Sequence, residues 1–434
     1  MRLMASEVAQ ATSGRLVGPD VEVTGTSIDS RTMAQGELFV PVVAERDGHD
    51  FIDDAVAAGA AAYLTALPSR GATAVVVDDT ADALAELGSY ARSKFDGPVV
   101  GITGSVGKTS VKDMAAAAIG ADRPTHASPM SFNNELGVPL TLVNCPEDAE
   151  AVVVEMGARG KGHIAWLCSL ARPTVGVVTA VGAAHTELFG TVEAVAEAKG
   201  ELVEALDAAG VAVLNADQPL VAAMAGRTEA KVLTFGRAGG DVRASRVSLD
   251  DGLCPRFRLE TPNGQADVAL AACGEHMVDN ALAAAAAALA VGTGVEEIAA
   301  GLGSALLSPW RMEVTELSSG AVLINDAYNA NPMSMAAGLR SLAAVDRPRR
   351  VAVLGVMAEL GDRAAAEHAA ISELARELGI EVISVATADY GLTPVAHAAA
   401  AVAALGAVDG DTAVLVKASR AAGLEVVATA LSGL

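Results

Sequence analysis

The sequence predicts an α/β protein of three successive units, spanning residues 1–82, 83–309 and 310–434. Three observations predict it. A chain of 434 residues is longer than one hydrophobic core serves. Short runs rich in Val, Ile and Leu alternate with helical stretches along the second and third units, the pattern of mostly parallel sheets covered on both faces. Finally, Pro98–Ser110 (PVVGITGSVGKTS) reads as a strand entering a glycine-rich turn that opens a helix.

Composition narrows the function classes. Apolar residues make up 52 % and aromatics 3 %, so the cores must be filled by Val, Leu, Ile and Ala. The formal charge is −23, from 53 acids and 30 bases, which argues against a nucleic-acid partner and against anionic membranes. Any polyanionic substrate must then be met by local Lys, Arg and helix N-termini. The Ala281–Val291 run is too short to span a bilayer and follows polar residues, so membrane insertion is not expected. Met1–Ala11 carries Glu7 and reads as an amphipathic helix rather than a signal peptide, so the expected location is cytoplasmic. Cys145, Cys168, Cys254 and Cys273 show no paired metal-ligand spacing and are expected to be buried thiols.

In the first unit, VEVTGTSIDSR and GELFVPVV read as strands, and DGHDFIDDAVAAGAAAYLT as a helix running into another strand. Ser30 and Arg31 fall at a strand end. Asp47 and Asp50 flank a helix start, where the plain reading is a turn and an N-cap. A helix near 81–95 bridges to the second unit.

The second unit holds the phosphate chemistry. In Gly104-Ser105-Val106-Gly107-Lys108-Thr109-Ser110 the glycines give the turn backbone freedom, and the backbone N–H groups and helix N-terminus converge on one spot. Lys108 can reach terminal phosphates and the Thr109 hydroxyl can sit on Mg²⁺. A loop that only packs is the alternative. Parallel sheets bind ligands beyond the carboxyl ends of their strands. Glu155 stands where AVVV finishes, and His185 just past TVGVVTAVG. With a phosphate loop on the same rim they suggest a metal–nucleotide centre. In TVEAVAEAKGELVEAL, Val192, Val195, Lys199, Leu202 and Leu206 step by three and four, which puts Lys199 in the buried stripe of an amphipathic helix. Such a lysine snorkels, pairs with a carboxylate or is chemically altered, and Glu197 and Glu201 are not its helix-face neighbours.

The third unit repeats the parallel pattern through AVLIND, RVAVLG, EVISVAT and TAVLVKAS, a Rossmann-like sheet. Trp310-Arg311-Met312-Glu313 lies at its start. Asp326 ends its first strand, followed by Tyr328-Asn329-Ala330-Asn331-Pro332-Met333-Ser334-Met335.

The glycines at 101, 104 and 107 depart from the usual phosphate loop, which would place one at Ile102. This G-x-x-G-x-x-G-K-[TS] form resembles the Mur ligase family of ATP-dependent amide-bond formers, and the resemblance extends over all three units. It implies a uridine-nucleotide-binding first domain, with Ser30, Arg31 and His49 lining the UDP end of the substrate. It implies a central P-loop ATPase-like domain in which Glu155 and His185 are metal ligands and Lys199 is carbamylated to hold a second Mg²⁺. Asn133 and Asn134 would contact the acceptor sugar and peptide. Asn280, in a segment resembling G-x-H-N-x-x-N-A, would read the adenine, although Met277 replaces the first Asn. Arg311 would serve the nucleotide phosphates and Asp326 the ribose and hinge. The D-x-Y-N-A-N-P-x-S-M word resembles the branch that joins D-alanyl-D-alanine to UDP-N-acetylmuramoyl-tripeptide, with Tyr328, Asn329 and Asn331 on the dipeptide. VLGVMAELGD and VLVKASRAAG fit the same branch, with Val356 where an acid more often stands. The expected ligands are therefore ATP, Mg²⁺, the UDP-linked tripeptide and D-alanyl-D-alanine, bound by a monomer. A sister ligase would share the phosphate loop but not the Tyr-Asn-Ala-Asn-Pro word. A nucleotide-gated switch would not need Lys199, and a degenerate scaffold would have lost Lys108, Glu155 or His185.

Overall fold

The computed structural model describes residues 1–182 and 186–433. Its central sheet is wholly parallel among the described residues. From edge to edge it runs Lys231–Phe235, Val211–Asn215, Val175–Val178, Val99–Thr103, Ala151–Glu155 and Thr125–Ala127. Buried on both faces, these strands are continuous Val-rich runs rather than alternating ones. From Val99–Thr103 the chain first goes to one side, through Thr125–Ala127 and Ala151–Glu155, and then to the other. The crevice beyond their carboxyl ends is a topological switch point, and the phosphate loop opens there.

The helix Lys108–Gly120 packs on this sheet between the helices Met277–Ala290 and Val295–Ser304. Eight of the fourteen residues of its neighbour Met277–Ala290 are alanine, and small side chains permit close helix approach; Ala281 and Ala283–Ala288 are buried. Residues 243–269 form a three-stranded antiparallel sheet, Arg243–Leu249, Pro255–Thr261 and Gly264–Ala269, that the sequence reading had merged into the parallel pattern. Its period-two alternation follows from one buried face (Phe257, Leu259, Ala266, Val268) and one exposed face bearing Arg256 and Asp267.

The N-terminal sheet has the order Arg15–Val17, Ala74–Val76, Ala62–Thr65, Leu38–Phe39, Thr26–Ser27. It is joined to the central sheet by the helix Thr80–Ser93, which Asp79 caps by accepting from the Ala81 and Asp82 N–H groups. The C-terminal sheet runs Glu313–Glu316, Val322–Asn325, Thr412–Lys417, Arg349–Leu354 and Glu381–Ser384; only the first strand is antiparallel. That edge strand has the polar sequence EVTE, which hid it from apolar patterning. No helix among the described residues is long and apolar enough to cross a membrane.

Candidate active site at the cleft between the central and C-terminal sheets

The carboxyl ends of the two sheets face each other across a cavity of about 1060 Å³. The phosphate loop forms one wall. Gly104 (φ +154°) and Gly107 (φ +82°) adopt conformations L side chains avoid, and each also lacks room for one. A Cβ on Gly104 would stand 1.9 Å from Thr179 Oγ1, and one on Gly107 2.4 Å from Asn280 Oδ1. Ser105, Val106 and Ser110 line the same wall. Lys108 Nζ donates to the Gly104 carbonyl at 2.8 Å, folded back along its own loop. Burial lowers the Lys108 pKa; Glu155 and Glu359 oppose that shift and Arg311 adds to it.

Beside the loop, Thr109 Oγ1 donates to Glu155 Oε2 at 2.7 Å, and Asn133 Nδ2 donates to Glu155 Oε1 at 2.7 Å. Arg311 reaches across from the C-terminal side, donating to Thr109 Oγ1 at 2.8 Å with its guanidinium stacked 4.1 Å from the Tyr328 ring centroid. Among the described residues its buried Nε has no hydrogen-bond partner. Thr109 and Glu155 supply two converging oxygens, and among the described residues no group of three or more His, Cys, Asp or Glu forms a metal cage. Two protein oxygens beside a phosphate site fit Mg²⁺, which takes one or two protein ligands and completes its shell with phosphate and water.

Lys199 lies on Val192–Glu204 and is 1 % exposed. Val195 and Leu202 of the same stripe are buried with it. Among the described residues its Nζ has no hydrogen-bond or ion-pair partner. Its pKa is driven well down, first by burial and then by the nearby Lys108 ammonium. Glu201 faces elsewhere: its carboxylate accepts from Gly162 N–H (2.6 Å) and Ala165 N–H (3.0 Å) at the start of the helix His163–Ala171.

The opposite wall is the segment 326–335. Asn331 caps the helix Pro332–Ala343, its Oδ1 accepting from Ser334 N–H at 3.0 Å, while its Nδ2 donates to the Ser105 carbonyl of the phosphate loop at 3.3 Å. Tyr328 hydroxyl is hydrogen-bonded to Ser131. Lys417, buried at the end of its strand, donates to Asp326 Oδ2 (2.5 Å) and to the Asn329 carbonyl (2.9 Å). Asp326 Oδ1 also accepts from the Met312 N–H at 3.2 Å. At the far end, Asn280, His276 and Asp279 line the cavity. Burial pushes the Asp279 carboxyl up to about 6.

The chain matches three family models: "Mur ligase family, catalytic domain" over 22–92, "Mur ligase middle domain" over 102–288 and "Mur ligase, glutamate ligase domain" over 310–433. It is 42 % identical to the UDP-N-acetylmuramoyl-tripeptide–D-alanyl-D-alanine ligase of Mycobacterium tuberculosis, over 94 % of this chain and 92 % of that one. The chain belongs to the Mur ligase family. Among solved structures, MurF from Acinetobacter baumannii superposes with a TM-score of 0.90 at 30 % identity, covering 100 % of this chain and 99 % of that one. MurF ligase from Thermotoga maritima in complex with ADP gives 0.83 at 29 % identity, over 95 % and 97 %.

In this Mur ligase the sequence-predicted residues divide into three groups. Ser105–Ser110, Asn133, Glu155, Asn280, Arg311, Asp326, Tyr328, Asn329 and Asn331 line the same cavity, with Gly104 at the start of the loop that forms its wall. His185 lies outside the described residues. Others carry local duties. Asn134 Oδ1 accepts from Gly137 N–H at 2.9 Å, closing the turn into the helix Gly137–Val143. In the N-terminal unit, Arg31 is exposed and holds Asp29 bidentately, drawing that carboxyl down to about 2; Ser30 lies beside it, half-buried. Buried His49 has both ring nitrogens engaged, Nε2 accepting from Ala66 N–H at 3.1 Å and Nδ1 donating to Asp47 Oδ1 at 2.7 Å.

Sequence reasoning missed Lys417, His276 and Asp279. Lys417 had the same signal as Glu155, a charge closing an apolar strand. The expectation of four buried thiols also needs correction. Cys145 and Cys168 are buried, but Cys254 and Cys273 are half-buried and adjacent, because the antiparallel sheet brings their two segments side by side.

Proposed function

We propose that the protein is an ATP-dependent ligase that joins the terminal carboxylate of UDP-N-acetylmuramoyl-tripeptide to the amine of D-alanyl-D-alanine. The observation that carries this reading is the docking of Asp326–Met335 on the phosphate loop through Asn331 and Ser105. It brings the segment that distinguishes this branch against the phosphate loop. Relatives bearing that name cover nearly the whole chain, which supports the same reading.

A carboxylate has no usable leaving group, so it must be activated. A carboxylate oxygen of the tripeptide attacks the γ-phosphorus of ATP, releasing ADP and leaving an acyl phosphate. The dipeptide amine then attacks the acyl carbon, forms the amide and expels phosphate. The first step brings two anions together. Lys108 swings off the Gly104 carbonyl to the β/γ-phosphates, and Arg311 exchanges Thr109 for phosphate oxygen, satisfying its orphaned Nε. Mg²⁺ bound by Thr109 and Glu155 would supply further charge neutralisation at the phosphates. The neutral Lys199 amine is the form that reacts with CO₂, losing a proton and becoming a carbamate. That carbamate would give a second Mg²⁺ an oxygen ligand, and the family resemblance adds His185 as a further ligand. Asn280 reads the adenine and Asp326 the ribose.

On the acceptor side, residues 1–82 hold the UDP end at Ser30, Arg31 and His49. Asn133 and Asn134 border the sugar and peptide. Residues 83–309 bind ATP, and residues 310–434 present Tyr328, Asn329 and Asn331 to the dipeptide. The enzyme acts as a monomer. Phosphate release with ATP and UDP-N-acetylmuramoyl-tripeptide tests the assignment. D-alanyl-D-alanine supports turnover, whereas D-Ala, L-Ala-L-Ala and L-Lys do not. Equal rates with a single amino acid would move the protein to a sister ligase.

A further inference from the structure

Outside the cleft machinery, one pair of reactive side chains has no assigned role. Cys254 closes the turn Asp250–Cys254, where its N–H donates to Asp250 Oδ1 at 2.9 Å. Cys273 stands 19 residues later, and the two Sγ atoms are 2.6 Å apart. Both side chains are half-buried, unlike Cys145 and Cys168. The backbone beside them is already joined, Gly274 N–H donating to the Leu253 carbonyl at 2.8 Å.

The pair sits at a sensitive place. Cys273 is followed by Gly274, whose missing side chain leaves room for His276 and for Ser341 of the C-terminal helix Pro332–Ala343. Glu275 binds Arg237 at 2.7 Å, and His276 lines the cleft at the entry to the helix bearing Asn280. Residues 273–276 thus touch both the proposed adenine pocket and the C-terminal unit.

We propose that Cys254 and Cys273 are a redox pair that closes to an intramolecular disulfide when it meets an oxidised low-molecular-weight thiol. The bond fastens residues 273–276 in their present arrangement and shields them from thiol adducts. Cys254 attacks first, because burial and the hydrogen bond to Cys254 hold the Cys273 thiol protonated. Attack on the small disulfide releases one small thiol and leaves a mixed disulfide on Cys254. Cys273 then loses its proton to solvent and displaces the second small thiol. Two protein thiols are oxidised, and one small disulfide is reduced to two thiols. The sulfurs are already in contact, so closure needs little backbone movement and the nucleotide wall keeps its shape.

The test treats the full-length enzyme with oxidised glutathione, followed by alkylation and peptide mass mapping. The wild type should lose two hydrogens as a Cys254–Cys273 link, keep ATP binding, and show several-fold slower hydrogen exchange over residues 271–277. Cys145 and Cys168 should stay alkylatable after denaturation; burial pushes the Cys168 thiol up to about 12. Cys273→Ser should carry a trapped glutathione adduct on Cys254 and bind ATP several-fold more weakly, with recovery on reduction. The double variant Cys254→Ser/Cys273→Ser should ignore the oxidant. Free Cys254 and Cys273 in the treated wild type would overturn the proposal, as would a stable adduct in place of the link. Unchanged ATP binding in adducted Cys273→Ser would overturn the shielding role.

Discussion

Lys417 offers the sharpest quantitative test of how the cleft is held. Its ammonium is 2 % exposed and serves the Asp326 carboxylate, itself 14 % exposed, and the Asn329 carbonyl. Lys417→Met keeps the length and apolar stem of the side chain while deleting the charge. Among the described residues, the substitution leaves Asp326 with only the Met312 N–H as a donor. Removing one partner of a buried pair costs about 3–5 kcal/mol, because the survivor keeps its desolvation penalty. Asp326 retains some contact with water, so the lower end, about 3 kcal/mol, is expected. Thermal and urea unfolding read that loss. In Lys417→Met/Asp326→Asn no charge remains stranded, and most of the stability should return. Activity should not, because Asp326 is assigned to the ribose and segment 326–331 has lost its anchor. Steady-state kinetics should therefore show a raised KM for both ATP and D-alanyl-D-alanine in the double variant. A single variant as stable as the wild type, or a double variant no more stable than the single, would refute the reasoning.

Other consequences are equally direct. Lys199→Ala should fold yet lose most phosphate release; acetate or formate should restore part of it, and an active Lys199→Arg enzyme would exclude the carbamate. Asp279 has its carboxyl raised from 3.8 to about 6 by burial, so the folded state holds its proton more tightly. The stability this group contributes is full below about pH 4 and is lost as pH rises through about 6. Asp279→Asn should therefore be more stable than wild type by on the order of 2–3 kcal/mol at pH 8, with the gap closing by pH 4 in pH-resolved melting curves. Asn331→Ala removes both the helix cap and the hydrogen bond to Ser105. Small-angle scattering with an ATP analogue and the UDP-tripeptide should then show incomplete compaction, and compaction equal to wild type would remove Asn331 from closure.

What the sequence revealed and what it hid have a common physical origin. Strand ends were legible because parallel strands buried on both faces must be apolar, so Glu155 and Asp326 could sit only at an edge. The phosphate loop was legible because positive φ and absent Cβ atoms demand glycine. Lys199 stood out as a charge in a helical apolar stripe. Contacts made across the cleft were hidden. Asn331 meets Ser105, 226 residues away, and Ser131 meets Tyr328, 197 away; no local period encodes such pairings. Helix caps and ring-nitrogen partners were hidden likewise. Asn134 is committed to a turn and His49 to Asp47 and Ala66, which only the fold discloses.

The cleft also explains how a chain carrying −23 overall can gather polyanions. Few of its cations are free to do so. Lys417 is committed to Asp326, Arg237 to Glu275, Arg159 to Glu135 and Arg420 to Glu425. Lys199 is pressed toward neutrality by burial and by Lys108. That leaves Lys108 and Arg311 at the phosphates, and both are held in reserve on neutral oxygens, the Gly104 carbonyl and the Thr109 hydroxyl. Moving them to phosphate replaces a weak acceptor with a charged one, so binding strengthens both contacts at once. Two cations cannot offset a triphosphate and an incoming carboxylate together. On the proposed reading, the paired oxygens of Thr109 and Glu155, and a carbamate on Lys199, would let a site short of fixed positive charge recruit it as Mg²⁺.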